Sequence, residues 1–117
     1  MLEVLLLVIA VAFAFGADVF DVSETVKGIK AGLAVEANTF WVGTDKPSAT
    51  QLYLRDGAVI ALASALSVVA LALHTLPLFY AGLSGPVIAG ALHINGGRAW
   101  AKLLAGAKPT SAEKKGL

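Results

Sequence analysis

The chain has no cysteine, which excludes disulfides, thiolate metal ligands and a cysteine nucleophile, and leaves the redox compartment open. Charge is also scarce. Asp, Glu, Lys and Arg together make 15% of the residues and leave a formal net charge of +1, so there is no broad basic field to attract nucleic acid. No P-loop, dinucleotide fingerprint, nucleophile elbow or zincin motif occurs. Gly96-Gly97 lies in an apolar segment with no strand before it, so it is not a phosphate loop. No internal repeat is evident. The most informative absence is local: Ile60 to Ala81 contains no Asp, Glu, Lys or Arg.

At about 1.5 Å per residue that run is long enough to cross a hydrocarbon core of about 30 Å. Hydrophobic residues make up 57% of the 117-residue chain and the mean hydropathy is +0.78. These values point to one small integral membrane domain, all-α. The opening stretch MLEVLLLVIAVAFAFGA lacks the basic start of a signal peptide and carries Glu3 instead. Gly16 and Ala17 resemble a cleavage end, but the helical pattern continues past them, so the expectation is an uncleaved membrane helix.

Three spans are expected: a long first helix over 2–31, a central helix over 51–82 kinked at Pro77, and a short third helix over 86–104. They form a domain over 1–105, followed by a mobile basic cytoplasmic tail over 106–117. Ser48 and Thr50 compete as N-cap of the central helix, and Trp41 fits a membrane interface. Gly82-Leu83-Ser84-Gly85-Pro86 reads as a tight turn, with Ser84 capping the last helix.

Ala14, Asp18, Asp21, Thr25, Gly28 and Gly32 recur at alternating steps of four and three, a seam of small and polar residues suited to helix association. Ala89, His93 and Gly97 give the last helix a similar face, and Ser64, Ser67, Leu71 and His74 share one on the central helix. Glu24 and Lys27 are placed for a surface pair.

All nine Lys and Arg fall on or toward the face that receives the end of helix one, the following loop and the tail. The positive-inside rule makes that face cytoplasmic, with the N-terminus outside and the C-terminus inside. The expected location is the inner (cytoplasmic) membrane, multi-pass.

Ionisable groups within spans are functional candidates by default. A hairpin centred on the Leu83–Ser84 turn sets His74 level with His93. Asn95 lies deeper, then Arg98 beside Asp18 and Asp21. This column has two readings. It is a metal, proton or cation site with His74 and His93 as metal ligands, or it is helix-tying polarity with Arg98 paired to Asp18 or Asp21. Glu36 and Asn38 follow the end of helix one and either cap the loop or share a polar cavity with Asp21 and Thr25.

Asp21-x3-Thr25-x3-Ile29-x2-Gly32 followed by Glu36-x-Asn38 resembles the signature of a family of small uncharacterised membrane proteins of bacteria, archaea and phages. That family carries Asp and Thr on its first helix, then Gly, then Glu-x-Asn-Pro, and a polar residue in its last helix. Here Thr39 stands where the Pro would be. The resemblance covers about a fifth of the chain and implies three or four spans with a polar cluster, without a reaction. The overall form is also similar to class I phage holins.

From the residues, the leading expectation is a protein acting in the lipid bilayer by helix–helix assembly. It would be a holin-like homo-oligomer or a subunit among other membrane subunits, with no nucleic acid partner. The alternative is an intramembrane metal-dependent enzyme or a proton- or cation-handling protein that uses the polar column. The sequence leaves the cofactor unknown.

Overall fold

The computed structural model describes residues 1–107. It contains three helices, α1 (Leu2–Lys30), α2 (Ala49–Ala72) and α3 (Leu76–Ala107). The chain is all-α, and all three helices are long and apolar enough to cross a membrane. It is a small polytopic membrane protein. Most of the expected tail, 108–117, lies outside the described residues.

Helix α1, at 29 residues, is about 43 Å long, more than a hydrocarbon core requires. It stops where Gly32 turns left-handed (φ +69°), which lets the Leu33 N–H donate to the Gly28 carbonyl at 3.1 Å. Ser48 prevails over Thr50 as cap of α2. Its hydroxyl accepts from the Gln51 N–H at 3.2 Å, while the Gln51 side chain accepts from the Ser48 N–H at 2.8 Å.

The expected span boundaries are corrected at the next turn. The central helix does not reach residue 82. It ends at Ala72, and the chain reverses through Leu73–Thr75. His74 takes the left-handed position (φ +54°), and the Thr75 N–H donates to the Ala70 carbonyl at 2.9 Å. Pro77 therefore kinks nothing. It is the second residue of α3, where a missing N–H leaves no intrahelical bond unmade.

The expected Gly82–Pro86 turn lies inside α3, which runs for 32 described residues and is not short. Ser84 caps no helix start; its hydroxyl donates to the Ala81 carbonyl at 2.7 Å. The two glycines serve close packing. A Cβ at Gly82 would stand 2.7 Å from the Ser67 backbone nitrogen, and one at Gly85 would collide with the Ala63 carbonyl. In hydrocarbon a turn there would also strand backbone polar groups, whereas a continuing helix satisfies nearly all of them.

Helix α3 packs against both others and most extensively against α1. The α1 face is the expected seam: Ala14, Asp18, Thr25 and Gly28 are buried, together with Ala10, Ala17 and Val22. Gly28 sits beneath the Trp100 ring. On α2 the buried stripe is Leu52, Arg55, Asp56, Ile60, Ser64, Ser67 and Ala70. Ser64 and Ser67 donate to the Ile60 and Phe79 carbonyls at 2.8 and 3.3 Å. Large apolar side chains such as Leu5, Val8, Leu62, Leu66 and Val69 point outward, as lipid contact demands.

Candidate functional site: a carboxylate and histidine cluster between the helices

Each helix delivers ionisable side chains to one place. Asp18 and Asp21 come from α1, Arg55 and Asp56 from α2, and His93 from α3. Asp18 lies on the buried seam one heptad step past Ala14, and His93 one helical turn past Ala89, so the packing that joins α1 to α3 brings them together. By helical rise Asp18 and His93 are each about 25 Å from the end of the bundle that holds Met1 and the Leu73–Thr75 turn. Asp56 is about 10 Å inside the other end of α2. The cluster therefore lies just past the middle of α1 and α3 and in the first third of α2, toward the loop over residues 31–48.

His93 Nδ1 stands 2.9 Å from Asp21 Oδ2 and 3.8 Å from Asp18 Oδ1. The first is a hydrogen bond and the second is beyond hydrogen-bond reach. Thr25 donates to Asp21 Oδ1 at 3.4 Å. Asp18 is 1% exposed, and its Oδ1 has no hydrogen-bond partner among the described residues. Ligand atoms of Asp18, Asp56 and His93 all lie within 4.8 Å of one another.

Arg55 and Asp56 are adjacent in sequence and both buried. The Arg55 Nε–H donates to Asp56 Oδ1 at 2.6 Å, and a terminal nitrogen donates to the Asn38 carbonyl. The guanidinium thus ties the loop to the cluster. The loop supports that carbonyl by its own bonds. Glu36 Oε1 accepts from the Asn38 N–H at 2.8 Å, and Asn38 Oδ1 accepts from the Phe40 N–H at 3.2 Å. A cavity of about 480 Å³ adjoins the cluster, with Asp21, Glu36, Asn38, Arg55, Asp56 and His93 on its polar side. Its apolar side includes Val59, Ile88, Leu92 and Trp100.

The sequence-derived candidates divide. Asp18, Asp21 and His93 converge, with Thr25 bonded to Asp21 and with Glu36 and Asn38 on the shared cavity. His74 does not join them. It is exposed in the turn, and His93 is 17 residues along α3 from Leu76, about 25 Å away by rise. The pairing of His74 with His93 rested on a hairpin at Leu83–Ser84 that does not exist.

Arg98 forms no ion pair with Asp18 or Asp21 among the described residues and is exposed, as is Asn95. Five and two residues from His93, they point about 140° and 160° away from it around the helix. His93 takes the partner role expected of Arg98.

Arg55 and Asp56 were not among those candidates. The signal was their phase: stepping back from Ser67 and Ser64 along α2 reaches Ile60, Asp56 and Leu52, the stripe that is buried.

No protein-family model matches the chain, and no curated protein or solved structure matches it.

Proposed function

We propose that this small multi-pass membrane protein handles cations, drawing them into the buried cluster of Asp18, Asp21, Asp56 and His93 from the face that carries the 31–48 loop. The observation that carries the reading is convergence. All three helices place an ionisable side chain within ligand distance in a lipid-facing bundle, at a depth where unpaired charge is costly. The cavity beside the cluster, rimmed by Glu36 and Asn38, supplies a polar approach from the loop.

The leading expectation from the residues, assembly between chains, loses the support of two of its seams. The small-residue seams of α1 and α3 that pointed to it are occupied inside one chain, Gly28 against Trp100, Gly90 against Phe13 and Gly97 against Phe20. The resemblance to the small-membrane-protein family fits the cation reading, since Asp21, Glu36 and Asn38, three of its signature residues, line one cavity.

The reading includes orientation. Lys27, Lys30, Lys46, Arg55, Arg98 and Lys102 all lie toward the loop end, which the positive-inside rule assigns to the cytoplasm. The protein would then draw cations from the cytoplasmic side of the inner membrane.

Purified protein in liposomes tests the function. A proton or divalent-cation gradient should drive flux through the wild type, and Asp18→Asn should abolish it. Equal flux through both proteins would exclude the cluster as the route.

A further inference from the structure

We infer that Asp18, Asp56 and His93 form a binding site for one divalent d-block cation, with Asp21 as the residue that orients the imidazole. The inference rests on the cation-handling reading and gives it a substrate class.

Four observations carry it. The first is geometric. The three ligand atoms come from three helices and lie within 4.8 Å of one another. Ligands about 2.1 Å from a tetrahedral metal stand about 3.4 Å apart, so small side-chain rotations close the set.

The second is the orphaned oxygen. Asp18 Oδ1 is an acceptor shielded from solvent, and it has no donor among the described residues. Buried acceptors without partners are rare in native proteins, and a bound ion is one of the few arrangements that account for one.

The third is the count of formal charge. With all three carboxylates ionised, Asp18, Asp21 and Asp56 bring three negative charges into the bundle, and Arg55 returns one positive charge. With His93 neutral, as a metal ligand must be, two negative charges remain. One divalent cation neutralises them, which a low-dielectric site favours strongly.

The fourth is the hydrogen bond from His93 Nδ1 to Asp21 at 2.9 Å, which leaves Nε2 as the nitrogen that would bind the metal. A carboxylate that fixes the ring of a metal-binding histidine is a recurrent arrangement.

The donor set selects the metal. Two carboxylate oxygens and one imidazole nitrogen suit Zn²⁺, Mn²⁺, Fe²⁺ or Co²⁺, whereas Mg²⁺ and Ca²⁺ prefer oxygen alone. Three protein ligands leave a coordination position open, as in sites that exchange ligands. Asp56 and His93 also line the 480 Å³ cavity, so a metal held by them borders space for an incoming group.

The test uses the full chain in detergent, stripped with a chelator and titrated with Co²⁺, whose visible absorption reports coordination number and donor type. Zn²⁺ competition and calorimetry give the stoichiometry. One Co²⁺ per chain is expected, with a spectrum of four or five N/O ligands. Asp18→Asn and His93→Gln should each weaken binding at least 100-fold. Asp21→Asn should weaken it about 10- to 100-fold, the range for an orienting partner, and His74→Ala should leave it unchanged.

Absence of saturable Co²⁺ or Zn²⁺ binding by the wild type overturns the inference, as does Mg²⁺ binding of equal strength or equal loss in His74→Ala. Because the wild-type result decides, a variant that fails to insert does not shelter the claim. Proton flux in liposomes without metal binding sinks the metal site and spares cation handling. Stoichiometric metal binding with no flux of any cation does the reverse.

Discussion

At the scale of single residues, the Arg55–Asp56 pair shows how sequence-adjacent charges can both be buried. Asp56 is in phase with the packed stripe of α2, and the neighbouring guanidinium folds back to meet it while reaching the Asn38 carbonyl. Removing one member leaves the other as a buried, unpaired charge. Arg55→Met should therefore destabilise the protein by about 3 kcal/mol, whereas Arg55→Met with Asp56→Leu should recover most of that loss. Thermal unfolding in detergent measures both. An uncorrected double variant would mean that the pair holds the loop more than it neutralises charge.

His74 is the opposite case. Its left-handed backbone ends α2, a position glycine holds without steric cost. His74→Gly should raise stability by about 1 kcal/mol. A fall in stability would show that the imidazole itself makes a contact the protein needs.

At the scale of helices, small residues decide where α3 can lie. Gly85 lets α3 approach the Ala63 carbonyl of α2, and Gly90 lets it take the Phe13 ring of α1. Gly85→Leu meets rigid backbone, so it should cost about 1–3 kcal/mol, with the two helices forced apart. Gly16→Ala meets nothing within 4 Å and replaces a helix-interior glycine. It should stabilise by up to about 1 kcal/mol. The same thermal assay separates them, and equal effects would contradict the close α2–α3 contact.

The GLSGP stretch has the composition of a turn, yet it is helical. In a soluble protein those residues punctuate; here packing across Gly82 and Gly85 and the lack of water for free backbone groups favour helix. The turn falls instead at Leu73–Thr75, just before Pro77, inside the run of residues without charge.

At the scale of the whole molecule, the single crossing made by α2 puts the 31–48 loop and the Leu73–Thr75 turn on opposite sides of the membrane. The lack of native cysteine makes the proposed orientation directly measurable. Thr39→Cys in intact cells should resist a membrane-impermeant thiol reagent until the cells are opened, and Leu73→Cys should react at once. The reverse pattern would place the cluster's approach outside the cell.

What the sequence determined alone is the medium and the number of crossings. Long stretches nearly free of charge have no stable place in water, and their count survives an error of ten residues in where a turn falls. It also determined the α1 seam, because a heptad spacing of small and polar residues defines one face of a helix wherever its partner lies. Only the tertiary structure decided which residues meet. Moving the turn from Leu83–Ser84 to Leu73–Thr75 changes the register of α3 against α2, which carries His74 to the end of the bundle and leaves His93 among the aspartates. Depth along a helix follows from where it begins, and in this chain that beginning is set by close contact between Gly82, Gly85 and α2, which local composition does not record.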